Sequence, residues 1–405
     1  MSLSDQQRSA IDIATSGRIG ILTGGPGTGK TYTIAHYLDQ CSGRILLCAP
    51  TGKAAIRMNE SLGYTVATTV HRMMEPVPTS HGWVFQRGPD NLLDADLIVG
   101  DEWSMTNANL FASMVQAIPD RCRLLLVGDP DQLPPVGHGK PLLDMIRSKL
   151  IPHGHLSEPH RFAGRIANVC HVIKHGEMPQ FSEKIDLGAD SPENCKNITV
   201  ESTQKTIGRI LGCFDRIPAK YGEIDPQEDI QLIVPRNDKT PFNRTMFNKI
   251  LKRKLNPGVV TYDDHPFSID DKVMNLRNCS WPAVVRDENV GEDAPVEKRY
   301  EISDEFSYYV ANGEIGRVFH AEPKMVWVRF DHDRLCHYPK QWLKNLTLAY
   351  AITGHKSQGS QWPVVIIAME EPKDASFLCN RSWIYTAISR AAKLCLVFGQ
   401  PNWIR

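Results

Sequence analysis

Little in this chain is extreme, and its absences narrow the field. Lys plus Arg and Asp plus Glu stand at 46 each, so the 405-residue chain has no net charge at neutral pH. No bulk electrostatic pull toward nucleic acid exists, although a local basic groove needs no net charge. The ten cysteines include no C-x-x-C pair and no His/Cys cluster at zinc spacing. That excludes a zinc ribbon and fits free, mostly buried thiols in a reducing compartment. No apolar run reaches the length of a membrane span; Val364–Met369 is strand-sized. Met1–Asp5 lacks the basic and apolar regions of a signal peptide. The expectation is a cytoplasmic protein of a bacterium or phage-infected host cell, with no membrane partner. Hydrophobic residues at 41% and charged residues at 23% describe an ordinary globular chain, long enough for about two to four domains.

What is present begins with Gly24-Gly25-Pro26-Gly27-Thr28-Gly29-Lys30-Thr31. It follows the strand-like run Ile19–Leu22 and precedes a helical pattern carrying Ile34, Tyr37 and Leu38. Strand, glycine-rich loop and helix are the setting of a phosphate-binding loop, in which backbone N–H groups turn inward on phosphate oxygens. The helix dipole adds to the same spot. Lys30 is then expected to reach the β- and γ-phosphates of ATP, and the Thr31 hydroxyl to bind Mg²⁺. Ahead of the loop, Leu3–Ile11 carries the Ser/Asp start of a capped helix. On it, Gln7 is either a solvated residue or an amide presented to a base edge.

Further strands each end in chemistry. Ile45–Ala49 runs into Pro50-Thr51-Gly52-Lys53, and a short extended run precedes Thr69-Val70-His71-Arg72. Leu97–Gly100 delivers Asp101 and Glu102, the first suited to hold Mg²⁺ and the second to polarise an attacking water. After Leu124–Val127 comes Gly128-Asp129-Pro130-Asp131-Gln132, where Gln132 can sense a γ-phosphate. Strand, loop and helix in repetition predict a doubly wound α/β domain. Between Met73 and Leu92 a small hairpin turning at Ser80-His81-Gly82 is expected, with Trp83 and Phe85 either wedging a base pair or packing the hairpin down.

A second α/β unit is expected after residue 165. It opens with a helix burying Ile166, Val169, Cys170 and Ile173, followed by strand Ile230–Val234 ending in Pro235-Arg236. A helix from Phe242 to Leu255 is expected next, with a stripe of Phe242, Met246, Ile250 and Leu251; its Lys249, Lys252, Arg253 and Lys254 read as a solvated face, with phosphate tracking as the alternative. Residues 257–344 read as short β runs in a small barrel, in which Asp287–Phe306 is strongly acidic and suited to a mobile arm that avoids nucleic acid. The α/β pattern resumes with the block Thr353–Ser360, the strand Val364–Met369 and Tyr385–Ala391, where Arg390 can reach a γ-phosphate from the second domain. Such an arginine is worth roughly 10³–10⁵ in rate in P-loop systems.

In order and nearly over its whole length, this set of blocks resembles the superfamily-1 DNA helicases of class B, the branch of RecD-like enzymes and phage Dda. The resemblance implies two RecA-like P-loop NTPase domains, 1–72 with 93–165 and 166–256 with 345–405. It also implies a pin inserted at 73–92 and an SH3-like barrel inserted at 257–344. By the same resemblance Gln7 reads adenine, Gly25 to Thr31 bind ATP, and Gly359 and Gln361 touch the nucleotide. Lys30, Asp101, Glu102, Gln132, Arg161 and Arg390 form the catalytic set. Thr51, Lys53, His71, Trp83, Phe85, Pro235, Arg236, His355 and Lys356 line the nucleic-acid track. Gln361 stands where RecD-like proteins carry Glu, and Trp103 where a smaller residue is common; neither change removes a catalytic group. The implied protein is a monomeric 5′-to-3′ helicase of replication, recombination or repair. It would work on single-stranded and forked DNA, alongside a single-strand-binding protein or other replication and recombination proteins. A protein-stripping translocase and an RNA-tracking helicase are the alternatives.

Overall fold

The computed structural model describes residues 3–63, 66–79, 82–158, 164–188, 190–199, 202–258, 262–291, 293–369 and 379–399. In chain order the first domain carries β1 (Ile19–Gly24), β2 (Ile45–Ala49), β3 (Thr68–Thr69), β4 (Pro76–Thr79), β5 (Gly82–Phe85), β6 (Leu97–Gly100), β7 (Arg123–Gly128) and β8 (His153–Leu156). Six of these form a parallel sheet ordered β3-β2-β6-β7-β1-β8, while β4 and β5 pair as a separate antiparallel hairpin. Because helices cover both faces, the central strands are mostly apolar, and Ile21, Leu22, Ile98, Val99, Leu126 and Val127 are fully buried.

Helix α1 (Asp5–Ala14) lies with its backbone directly on this sheet. A Cβ at Gly20 would sit 1.5 Å from the carbonyl oxygen of Ala14, and one at Gly154 would sit 1.9 Å from that of Ala10. The two glycines, one on β1 and one on β8, therefore set how close the helix comes, and with it the position of Gln7. Helices α2 (Lys30–Leu38) and α3 (Gly52–Leu62) follow β1 and β2.

The second domain begins with the helix Arg165–Lys174, which buries the four residues its periodicity predicts. Two elements escape the sequence pattern: β9 (Cys195–Ile198), whose later residues are only half buried, and the helix Thr203–Lys220. Then come β10 (Ile230–Val234) and a helix that starts at Arg244, capped by Asn243, not at Phe242. Its buried face is Phe247, Asn248 and Leu251, with Ile250 turned partly outward, which corrects the expected stripe. Asn248 is buried because its amide bonds both the N–H and the carbonyl of Ala351.

Between that helix and the rest of the domain, β11 (Lys272–Asn275), β12 (Cys279–Arg286), β13 (Tyr300–Val310), β14 (Ile315–Glu322), β15 (Met325–Arg329), β16 (Leu335–Pro339) and β17 (Leu346–Leu348) build one antiparallel sheet ordered β13-β12-β16-β15-β14-β11-β17. Its core packs Trp281 on Tyr338 at 4.3 Å between ring centroids, with Phe267, Val318 and Val328. The acidic stretch is built in where a mobile arm was expected. Residues Tyr300 to Val310 pair with β12, and the Asp287 N–H donates to the Arg299 carbonyl at 2.8 Å. Strand β13 is a free sheet edge, and repeated carboxylates on such an edge disfavour pairing with another chain.

Strand β17 returns the chain to β18 (Ala351–Thr353), β19 (Trp362–Ala368) and β20 (Ala391–Phe398), which complete a five-stranded parallel sheet ordered β18-β10-β19-β20-β9. No helix among the described residues is long and apolar enough to cross a membrane. The glycine spacers predict that Gly20→Ala lowers the melting temperature in a thermal scan, since overpacking there costs about 1–3 kcal/mol. An unchanged melting temperature would contradict the close packing of α1.

Candidate nucleotide site and nucleic-acid track

Strand β1 ends at Gly24, and the chain turns through Gly27 (φ 74°) and Gly29 (φ 82°) before α2 starts at Lys30. Those left-handed angles suit glycine and let the loop wrap a small volume. Lys30 Nζ donates to the carbonyls of Gly24 (2.7 Å) and Gly25 (3.1 Å), and the Thr28 hydroxyl donates to the Gly25 carbonyl at 2.9 Å. The loop opens onto a cavity of about 710 Å³, within the range of ligand pockets.

The cavity gathers residues from both parallel-sheet domains. Gln7, Pro26 to Thr31, Asp101, Glu102 and Gln132 line it from the first, and Gln361 and Arg390 from the second. Gly25 and Gly359 do not line it. Gly25 borders a neighbouring cavity, and Gly359 (φ 72°) forms a turn facing α3, where an added Cβ would lie 3.9 Å from Ala54. Arg161 lies outside the described residues.

Each polar group has a local reason for its position. Gln7 Oε1 accepts the Ser4 N–H at 3.0 Å while Ser4 Oγ accepts the Gln7 N–H at 3.2 Å, a capping box that holds the amide in place. Its oxygen is thus engaged, and its NH₂ is the group that can donate toward a base ring nitrogen. Glu102 occupies the left-handed region (φ 51°), a conformation that costs a non-glycine residue energy and tends to occur at working sites. Its Oε2 is buried with no hydrogen-bond partner among the described residues. Trp103, fully buried, fills the space over Gly100, where a Cβ would meet its ring at 2.5 Å; the missing side chain at Gly100 accommodates the large residue.

Burial, reinforced by the charge of Glu102, pushes the Asp101 carboxyl up to about 6; Lys30 pulls it the other way. Asp129 is raised too, first by burial, and Arg390, 3% exposed, is lowered by burial against the pull of Glu102. Arg390 is oriented by Thr386, whose carbonyl accepts from Nε at 3.0 Å, and by Ser389 Oγ, which accepts from Nη2 at 2.9 Å. Arg57 on α3 also lines the cavity. The i, i+4 spacing from Lys53 could have flagged it, since both then share one helix face.

Thr31, Asp101 and Glu102, whose Oε2 has no hydrogen-bond partner among the described residues, all line this cavity and offer the hard oxygen donors that suit Mg²⁺.

Part of the expected track, at Gly52 beside Thr51, Arg72 beside His71 and Lys356, comes to the β13–β14 turn region of the antiparallel sheet. The Thr51 hydroxyl caps α3 by accepting the Ala54 N–H, and a Cβ on the neighbouring Gly52 would meet Ala311 at 2.4 Å. Lys53 Nζ lies 5.4 Å from the Trp362 ring centroid across the domain cleft, and burial lowers its pKa to about 8. Arg72, beside His71, sits over Tyr309 at 5.5 Å. Lys356 Nζ donates to Asn312, and burial lowers the pKa values of Lys356 and His355. Pro235 is buried, and Arg236 bridges to Asn243 through its backbone. Phe85 is half buried against the first domain, 5.9 Å from the His71 ring, so it packs the hairpin down as one of the two alternatives had it. Val84 beside it is 55% exposed; the Trp83 side chain lies outside the described residues.

Residues 7–138 match a family model described as an AAA domain, and residues 348–398 match the UvrD-like helicase C-terminal domain. The ATP-dependent RecD2 DNA helicase of Deinococcus radiodurans is 31% identical over 96% of this chain, which spans 48% of that protein. The RecBCD enzyme subunit RecD of Mycolicibacterium smegmatis is 27% identical over 99% of this chain and 72% of its own length. Among solved structures, a Pif1 helicase at forked double-stranded DNA superposes with a TM-score of 0.56 at 20% identity, covering all of this chain and 94% of that one. At that identity the likeness speaks for the fold, two parallel-sheet domains in the helicase arrangement.

The raised Asp101 pKa has a definite sign in stability. Between its unfolded value near 3.8 and about 6 the folded form binds the extra proton, so its burial penalty is fully present above about 6 and fades as pH falls. In EDTA at pH 7.5, Asp101→Asn should therefore melt higher than the parent chain by about 1–3 kcal/mol of stability. The gain should shrink as the scan is repeated down through pH 6 toward 4. A variant that melts lower at neutral pH would contradict the assignment.

Proposed function

We propose that the chain belongs to the RecD-like branch of the superfamily-1 helicases and is an ATP-driven motor that moves along single-stranded DNA and separates duplex strands. The observation that carries the proposal is the single cavity lined by Lys30, Asp101, Glu102 and Gln132 from one parallel-sheet domain and by Arg390 from the other. A nucleotide bound there touches both domains, so its γ-phosphate can favour a closed cleft and its loss an open one.

Within the site, the loop N–H groups and Lys30 bind the phosphates, and Gln7 fixes the base end. Thr31 and Asp101 would hold Mg²⁺, which supplies charge neutralisation on the phosphates. The Glu102 carboxylate orients the attacking water and takes its proton. Arg390 places a cation against the developing negative charge, and Gln132 reports the γ-phosphate to the loop that carries it. Arg161 is proposed to join Arg390 on the phosphates.

The track runs past Thr51, Lys53 and His71 on one side and Pro235, Arg236, His355 and Lys356 on the other, under the β13–β14 turn. The antiparallel sheet is read as the SH3-like insertion and the hairpin as the pin. Grip comes from phosphate contacts and base stacking, the latter worth about 1–3 kcal/mol per base. Movement is 5′ to 3′, and a monomer suffices because both halves of the site lie in one chain. The packed-down Phe85 favours keeping a second reading, a translocase that strips bound proteins without unwinding.

Duplexes with a 5′ or a 3′ single-stranded tail test the proposal. ATP-dependent unwinding is expected from the 5′ tail alone, and loss of it in Lys30→Ala; unwinding only from the 3′ tail would overturn the polarity, and activity surviving Lys30→Ala the mechanism. Arg390→Ala should keep nucleotide binding while losing about 10³-fold or more in turnover. Replacing Trp83 and Phe85 together with Ala should lower the base pairs opened per ATP. An unchanged yield would leave the stripping translocase as the better account.

A further inference from the structure

Behind the nucleotide cavity lies a second one, of about 230 Å³, which shares Gln132 with it. Its walls come from both domains, and four cations line it: Lys140, Arg147, Lys174 and Arg381. Lys174 pairs with Asp131 at 3.1 Å, the one carboxylate in the lining. Among the described residues no ion pair neutralises Lys140, Arg147 or Arg381. The cavity therefore holds an uncompensated positive potential.

A second observation is independent of charge. Ser104 Oγ, Thr106 Oγ1 and Gln132 Oε1 are buried without a hydrogen-bond partner among the described residues, and all three residues line this cavity. Thr106 is 1% exposed and Gln132 4%. Buried hydroxyls without partners are costly, so a cavity that gathers them beside cations is suited to a ligand rich in acceptor oxygens.

Gln132 is the residue common to the two linings. Gln132 Nε2 donates to Asp129 Oδ2 at 3.4 Å, and Tyr385, on the wall of the second cavity, donates its hydroxyl to the same oxygen at 2.8 Å. Asp129 thus ties together one side chain from each domain, and any change in the cleft acts directly on this gate.

The geometry points to an anion site for orthophosphate, through which the cleaved γ-phosphate leaves the enzyme past Gln132 while ADP is still bound. The inference rests on the ATP-hydrolysing motor proposed above. Orthophosphate carries the acceptor oxygens that the orphaned hydroxyls need and the charge that the cations attract. Exit by this route separates phosphate release from the mouth occupied by the nucleotide.

Bond cleavage followed by rapid quench and phosphate release followed with a fluorescent phosphate sensor, both with saturating single-stranded DNA, test this on the full chain. Lys140→Ala, Arg147→Ala and Arg381→Ala are combined in one variant, since all three side chains are exposed and their removal should leave the fold intact. The cleavage burst should match the parent protein while phosphate release slows about tenfold, as expected when local steering charge is removed. Lys140→Arg, Arg147→Lys and Arg381→Lys together keep the charge and should keep fast release. Unchanged release in the alanine variant, with a normal burst, would overturn the exit and leave the motor standing. A parent protein with no DNA-stimulated cleavage would overturn the motor, and the exit with it.

Discussion

The loop after β7 is gripped from both sides. Tyr385, on the second domain, donates to the Asp129 carboxylate at 2.8 Å, and the Leu133 N–H donates to Thr386 Oγ1 at 2.8 Å. Gln358 Nε2 donates to the Leu133 carbonyl at 3.2 Å. Asp129 is 1% exposed, so separating it from Tyr385 without a substitute leaves a buried carboxylate short of a partner. Because Gln132 sits within this seam, whatever touches Gln132 in the nucleotide cavity also acts on the contact that joins the domains. Motor behaviour requires such a dependence of domain contact on the nucleotide, and this loop supplies one.

A parallel link runs on the first domain alone. Helix α3 carries Thr51 at its cap, Lys53 in its first turn and Arg57 in the next. Lys53 faces Trp362 of the second domain, whereas Arg57 lines the nucleotide cavity. The turn at Gly359 faces Ala54 between them, where an added Cβ would come to 3.9 Å. One helix of eleven residues therefore borders the nucleotide cavity, the proposed track and the opposite domain. The closeness of Gly52 to Ala311 adds the antiparallel sheet to the same junction.

How much of this the sequence reveals depends on whether the signal is local. The phosphate loop, the strand before Asp101 and the capped helix bearing Gln7 are legible because glycine placement, apolar runs and caps act over a few residues. The hairpin and the antiparallel sheet are legible as turn-punctuated β runs. Strand β9 is not, since Cys195–Ile198 has one buried position and no alternation. The helix Thr203–Lys220 was missed although its amphipathic face is regular. Asp129, Tyr385 and Thr386 acquire their contacts only when the domains meet, and no spacing rule connects residues 256 apart. The acidic stretch misled because charge density suggests solvation, whereas here the backbone of its second half is satisfied in a sheet.

The central claim is that nucleotide and single strand set the angle of one cleft. Fluorescence energy transfer between dyes on the two parallel-sheet domains, recorded on single molecules, reads that angle directly. A closed population should grow when a non-hydrolysable ATP analogue is added, and revert with ADP. Asp129→Asn combined with Tyr385→Phe should weaken that response without abolishing nucleotide binding. Transfer efficiency that stays the same with and without the analogue would contradict the account.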